Sequence, residues 1–247
     1  MSERVAVLSD IHGVLPALEA VLAEPDVAAA DLVVLTGDIA SGPQPVEVLD
    51  LLAGLGDRAC WVGGNGEREL VEARAGRRSP FAVANWAATQ LRDDHVARLA
   101  ALPLTVTLPV AGLGRVLFCH ATPRDDEELV LVDSRPARWA EVLAGLPGQV
   151  DAVVCGHTHM PFARLVDRRL VVNPGSVGMP YGGTGAWWAL LGPGVQLRRT
   201  RYDVDAAAAR IAAGSAFPEA AQWVDEYLRG RYSDLDALDT FGPGDGR

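Results

Sequence analysis

The sequence predicts an α/β fold: a largely parallel sheet in the first half of the chain, with a second sheet packed on it. Three observations carry this. Short apolar runs rich in Val and Leu recur as RVAVLS (4–9), DLVVLT (31–36), RACWV (58–62), RVLFC (115–119), VDAVVC (150–155) and RLVVN (169–173). Their length and lack of polar alternation predict strands buried on both faces. Helical patterns lie between several of them, and strands alternating with helices make a parallel sheet. After residue 160 the helices thin out, and the paired runs FARLVD–RRLVVN and GAWWALL–GPGVQLRRTRYD read as hairpins expected to build the second sheet.

The helical patterns follow in chain order. In VLPALEAVLAE, Val14, Leu18, Val21 and Leu22 fall on one face. PVEVLDLLAGL (45–55) and NWAATQLRDDHVARLAAL (85–102) are the next two, and His95 is expected on the exposed face of the second. From about 203, DVDAAAARIAAG and FPEAAQWVDEYLRGRY predict two C-terminal helices, and FGPGDGR reads as a frayed tail.

Composition narrows the function classes. The 247 residues are 49% hydrophobic, enough for one large domain with a substantial core. No apolar run reaches the roughly 18 residues of a membrane span, and the N-terminus lacks the layout of a signal peptide. Cys60, Cys119 and Cys155 are odd in number and widely spaced. They read as buried thiols of a reducing compartment, so a cytoplasmic location is expected. A net charge of -10 argues against broad nucleic-acid binding, though it leaves room for a local phosphate site.

The chemistry gathers where the strands end. The runs are followed in turn by Asp10-Ile11-His12-Gly13, Gly37-Asp38, Gly63-Gly64-Asn65, His120, Gly156-His157-Thr158-His159 and Asn173-Pro174-Gly175-Ser176. Ligands of open α/β sheets bind beyond the carboxyl ends of strands. Four of the five histidines stand at these positions. Imidazole and carboxylate together suit Mn, Fe, Zn, Ni or Co better than Ca or Mg. In DxH and HxH, residues i and i+2 of an extended segment would point the same way, toward one cleft. Seven candidate ligands exceed the needs of one ion, whereas two ions sharing a carboxylate use them all. Taken singly, each motif has a plainer explanation: Asp10 as a helix cap, Gly37-Asp38 or Asn65 as turn residues, His120 as a core histidine. Their order and common placement argue against that.

With DxH, GD, GN, a strand-ending His and GHxH in this order, the sequence resembles the calcineurin-like metallophosphoesterase superfamily, and most of all its smaller bacterial and archaeal phosphodiesterase branch. The stretches SDIHG, LTGDI, GHTHMP and NPGSVG are close to the family form, and the similarity spans roughly residues 4 to 200. The resemblance implies two mixed β-sheets packed as a sandwich flanked by helices. The domain organisation expected is a metallophosphoesterase domain over 1–203, followed, on the sequence patterns beyond it, by C-terminal helices over 204–230 packed on the same domain and a flexible tail over 231–247. One metal would take Asp10, His12, Asp38 and His159, and the other Asp38, Asn65, His120 and His157, with Asp38 bridging. Two divalent ions (manganese favoured; Fe, Ni, Co or Zn also suitable) would hold a bridging hydroxide for in-line attack on a small phosphoester. Asp38, Asn65 and His120 are accordingly candidate catalytic residues, and no organic cofactor or membrane partner is expected.

Two departures from the family pattern matter. Many members have His directly after the Asn ligand, where it is thought to assist the leaving group; here that position is Gly66, followed by Glu67. The Gly that often follows the strand-ending His is Ala121. Loss of a proton donor hurts least when the leaving group is acidic. Phosphodiesters or anhydrides with good leaving groups are therefore favoured, with Glu67, a water or the substrate itself as the acid. A phosphomonoesterase or nucleotide phosphatase is the alternative, and a non-catalytic scaffold, the role of a retromer subunit with this fold, is a further one. Arg124 and Arg68 are weaker candidates for substrate contact, and Asn85, Trp86 and Tyr181 for lining the cleft.

Overall fold

The computed structural model describes residues 2–245. Ten strands form two five-stranded sheets. They are β1 (Val5–Leu8), β2 (Leu32–Thr36), β3 (Ala59–Val62), β4 (Thr105–Val110), β5 (Gly114–Cys119), β6 (Ala152–Val154), β7 (Phe162–Val166), β8 (Arg169–Asn173), β9 (Ala186–Leu191) and β10 (Val195–Thr200). The helices are α1 (Leu15–Leu22), α2 (Pro25–Ala28), α3 (Pro45–Ala53), α4 (Asn65–Arg74), α5 (Ala82–Gln90), α6 (Asp93–Ala100), α7 (Pro136–Val142), α8 (Val204–Gly214), α9 (Ala220–Tyr227) and α10 (Asp234–Phe241).

The first sheet runs β10-β9-β1-β2-β3 and the second β4-β5-β6-β8-β7. Both are mixed: β1, β2 and β3 are parallel, as are β5, β6 and β8, while the outer pairings are antiparallel. Burial on both faces follows from the layering. Val5 and Val7 join Val34, Val116, Phe118, Val154 and Val172 in the core between the sheets. Their neighbours Ala6 and Leu8 face the other way, onto Leu18, Leu49 and Trp188 beneath α1, α3 and α8. A third cluster packs the outer face of the second sheet, through Leu117, Val153 and Val171, against Trp139 and Val142 of α7. Truncating one fully buried residue here, Leu35→Ala for instance, costs about 2–5 kcal/mol. The order is helices, sheet, sheet, helix.

Several expectations need correction. The two hairpins do not share the second sheet. β7–β8 lies there, but β9–β10 extends the first, with Val5 opposite Leu191 and Val7 opposite Ala189. The alternate faces of AWWALL are both buried, which suits a strand inside the sandwich beside β1. The pattern over 85–102 is two helices, α5 and α6, parted at Leu91, whose backbone is extended. Asp93 and Asp94 start the second one, where acidic side chains favour a helix N-terminus. His95 is buried rather than exposed, its Nε2 3.0 Å from Asp50 Oδ1.

Residues 231–245 do not form a tail. Ser233 caps α10 by accepting from the Asp236 N–H, and Ser134 Oγ donates to the buried Asp245 at 2.6 Å. Gly246 and Arg247, the last of the expected tail, lie outside the described residues. No helix among the described residues is long and apolar enough to cross a membrane.

Candidate metal centre

The seven predicted residues converge at the carboxyl ends of β1, β2, β3, β5 and β6. Loop backbone continues the ladder beyond the strands: Asp10 N–H donates to Gly37 O, His12 N–H to Asp38 O, Gly178 N–H to Asp10 O and Gly156 N–H to His120 O. Two clusters result, Asp10–His12–His159 and Asp38–His120–His157.

Asp38 stands between them. Its Oδ2 lies 3.6 Å from His12 Nε2, and its Oδ1 lies 3.4 Å from His120 Nε2. Asp10 Oδ1 is 3.3 Å from His159 Nε2. Asn65 opens α4 and sets its Oδ1 3.1 Å from His120 Nε2.

The backbone that achieves this is not the extended one expected. Asp10, His12, Asp38, His157 and His159 have φ between 47° and 64°. Among the described residues the other two non-glycine positions with φ above zero, Asp167 and Arg168, form the β7–β8 turn. Left-handed backbone at a non-glycine residue costs roughly 1–3 kcal/mol and clusters at functional sites. The loops turn sharply, and this aims the side chains inward. Gly37 (φ 88°) sits where a Cβ would come within 2.5 Å of His120 Nδ1.

The donor set fits divalent cations. His12 Nδ1, His120 Nδ1 and His159 Nδ1 bond the carbonyls of Ser41, Thr36 and Met179 at 3.2, 2.7 and 2.8 Å. A ring nitrogen bonded to a carbonyl carries the proton, so each Nε2 presents a lone pair to the cluster. His157 is reversed: Nε2 bonds Glu127 O at 3.2 Å, leaving Nδ1 as the inward atom. His12 Nε2 and His159 Nε2 then face each other at 3.1 Å as two acceptors. The Asn65 amide nitrogen donates to Glu69 Oε1, so Asn65 Oδ1 and His120 Nε2 are a second acceptor pair. Acceptors opposed in a buried site call for positive charge between them.

Electrostatics agree. Burial alone would raise the Asp10 carboxyl; the adjacent His159, with His120 and His12, outweighs it and holds it well below the usual range. Asp38 is likewise lowered, burial being overcome by His120 and His12. Burial, helped by the charge of His120, pushes the His157 imidazole down to about 4. His120 and His159 rise despite burial, through Asp38 and Asp10 respectively.

Other expectations changed. Both oxygens of the buried Glu67 accept backbone N–H groups, from Asp38 at 2.8 Å, Ile39 at 2.7 Å and Gly64 at 3.0 Å. It braces the Asp38 loop and is not poised to protonate a leaving group. Arg124 is held by Glu128 and Glu141, and Arg68 by Asp126 and Glu127, and neither lines the cleft beside the clusters. Asn85 bonds Ser79 and Phe81, and Trp86 packs at a tilt against Phe217. Tyr181 does stand beside the site, its ring centroid 5.9 Å from that of His159.

Sequence reasoning missed two supports. Asn173 Nδ2 donates to Gly156 O at 2.7 Å, and Asn173 Oδ1 accepts from Gly175 N–H, which ties the GHTH loop down. Ser176 Oγ donates to Asp10 O. The strand-end position of NPGS was the available signal. A cleft of about 380 Å³ opens beside the clusters, and its far wall comes from the C-terminal segment, through Phe217, Trp223, Tyr227 and Phe241.

The geometry defines two candidate metal-binding clusters at the edge of a β-sandwich. Residues 4–192 match the calcineurin-like phosphoesterase superfamily domain, and the chain belongs to that superfamily. It is 26% identical to a metallophosphoesterase from Sphaerobacter thermophilus, covering 90% of this chain and 98% of that one with a TM-score of 0.70. A hypothetical protein from Pyrococcus horikoshii OT3 shares the fold at 18% identity, with a TM-score of 0.77 over 93% of this chain and 99% of that one. An uncharacterised protein of Methanocaldococcus jannaschii is 25% identical over 252 residues, 91% of this chain and 96% of that relative.

Proposed function

We propose that the protein is a dinuclear metal-dependent phosphodiesterase acting on a small phosphoester. The observation that carries this is Asp38, whose two oxygens face two separate His-containing clusters. Asp10, His12, Asp38 and His159 would hold one divalent ion, and Asp38, Asn65, His120 and His157 the other, with manganese favoured. Such a pair of ions supplies an acidified water as nucleophile and neutralises phosphoryl oxygens during in-line displacement. The chain's part is to fix the donors. Backbone carbonyls set the tautomers of His12, His120 and His159, and Glu69 sets the Asn65 amide.

Preference for diesters rests on position 66. Gly66 N–H donates to Asp38 Oδ1 at 2.7 Å, and a Cβ there would meet that oxygen at 2.7 Å. The position is shaped for glycine, and no side chain stands there to protonate a leaving group. With Glu67 committed to backbone, esters whose leaving groups depart unprotonated are favoured. Phosphomonoesterase activity is the competing reading, and a catalytically silent scaffold the next.

The test is metal quantification on the purified protein, with hydrolysis of bis-p-nitrophenyl phosphate and p-nitrophenyl phosphate in Mn²⁺. Bound metal, faster diester turnover and abolition by Asp38→Asn are expected. No bound metal, and no hydrolysis sensitive to Asp38→Asn, would overturn the enzyme reading. Faster monoester turnover would overturn the diester preference.

A further inference from the structure

The cleft beside the metal centre has a chemical character of its own. Its floor holds His12, Asp38, Asn65 and His157. Its walls are aromatic: Phe81, Phe217, Trp223, Tyr227 and Phe241, brought together from α5, α9, α10 and the segments before them. Phe81 stands 59% exposed, a large apolar ring left in solvent beside the opening. Three carboxylates, Glu69, Glu219 and Glu226, share these walls, and among the described residues no Lys or Arg lines the cleft.

Among the described residues these carboxylates form no salt bridge. Glu69 is buried and takes neutral donors, the Asn65 amide and the Ser79 hydroxyl. Glu226 takes the Tyr232 hydroxyl. Several acidic groups elsewhere are matched with arginine, as in Glu19–Arg210, Asp205–Arg229 and Asp50–Arg92.

We infer that this cleft takes a phosphoester whose organic arm carries an ammonium group, primary or quaternary, and turns away arms that carry further negative charge. The inference rests on the phosphoesterase reading for the location of the phosphate. Two divalent ions with two carboxylates leave the floor formally positive, which suits a phosphate. The walls are apolar and negative, which suits a cation. Aromatic faces attract ammonium groups through their quadrupole, and unpaired carboxylates add to this. A second phosphate on the arm would meet the same carboxylates, and among the described residues no arginine lines the cleft to offset them, which is discrimination by repulsion. A zwitterionic ester matches both halves of the site at once.

Three arms of similar size separate the possibilities: 2-(trimethylammonio)ethyl, its uncharged isostere 3,3-dimethylbutyl, and 2-sulfonatoethyl. Calorimetry of the Mn²⁺-loaded protein with the three phosphomonoesters reads binding without turnover. Hydrolysis of the three matching p-nitrophenyl diesters, which share one leaving group, reads kcat/KM. The ammonium arm is expected to bind on the order of tenfold more tightly than its isostere, and the sulfonate arm more weakly than either. In Glu219→Gln/Glu226→Gln, two positions at the cleft wall, the ammonium advantage should shrink severalfold while the uncharged arm changes little.

Equal binding of all three arms, or an advantage untouched by the double variant, overturns the inference even if every diester is cleaved. The expected binding order without any hydrolysis supports the inference and counts against the phosphoesterase reading instead.

Discussion

Glu67 Oε2 accepts the backbone N–H of Asp38 at 2.8 Å, and Oε1 accepts that of Ile39 at 2.7 Å. A buried carboxylate thus holds the loop that carries the shared candidate ligand. Burial, with the Asp38 charge added, pushes the Glu67 carboxyl up to about 7, against the pull of the Ile39 and Gly64 N–H groups. Glu67→Gln would turn an amide NH₂ toward backbone donors. One buried pairing is lost, at about 1–3 kcal/mol. Manganese affinity should fall roughly 10–100-fold, the usual effect of disturbing a group that orients a ligand. Calorimetric titration and a thermal melt measure both. Wild-type values in each would show that the brace has no such role.

Gly66 makes the complementary prediction. Because a Cβ would press on Asp38 Oδ1, Gly66→Ala should lower kcat/KM for bis-p-nitrophenyl phosphate by about tenfold or more, through displacement of that oxygen. Gly66→His, which supplies a candidate proton donor at this position, should not raise activity on an alkyl phosphomonoester, whose leaving group needs a proton, above the wild-type level. A gain of monoesterase activity in Gly66→His would mean that the loop relaxes and that only the acid was missing.

The candidate ligands were legible because strand-end placement is a property of the linear sequence: an apolar run ends and an Asp, His or Asn follows. The hairpin turn after Val166 and the parallel β1–β2–β3 unit were legible for the same reason. What lay hidden depends on contacts between distant segments. α4 went unseen because GERELVEAR is too charged to show an apolar face, yet it begins at Asn65 itself and buries Leu70. Nothing local distinguishes Glu67 from its half-buried neighbour Arg68 until Asp38, 29 residues earlier, is folded against it. The left-handed backbone at five of the seven candidate ligands contradicts the extended geometry their spacing suggested, since propensity gives no warning of strain held by a surrounding fold. The far wall of the cleft comes from residues beyond 216, more than 150 residues from Asn65, and only the fold brings it there.

Asn173 tests how the GHTH loop is held. Its side chain bonds Gly156 O, Thr158 Oγ1 and Gly175 N–H in a buried setting. Asn173→Ala strands the Gly175 N–H, at about 1–3 kcal/mol, and takes one donor from Gly156 O, which keeps the Thr158 N–H. The loop carries one candidate ligand of each cluster, His157 and His159. The variant should therefore melt lower and bind less manganese per chain, counted by metal analysis. Full metal content in a destabilised protein would limit Asn173 to stability.

Glu128 supplies a pH test away from the metal centre. It meets Arg124 through both oxygens, accepts from Thr122 Oγ1 at 2.9 Å, and pairs with Arg138 at 2.9 Å. Its carboxyl is held at about 2, against an ordinary value of 4.5, chiefly by Arg124, with burial opposing and Thr122 and Arg138 assisting. A carboxyl lowered by folding stabilises the fold above its unfolded value and loses that contribution as pH falls through its folded value. Glu128→Gln should therefore melt below wild type at pH 7, by a difference on the order of 1–2 kcal/mol once screening is allowed for. The gap should persist down to about pH 5, narrow between pH 4.5 and pH 2, and be largely gone at the lower end. Melting curves of both proteins across that range, recorded without metal to keep the cluster carboxylates from contributing differently, give the comparison. A gap that stays constant from pH 7 to pH 3 would assign the loss to packing rather than to the charge.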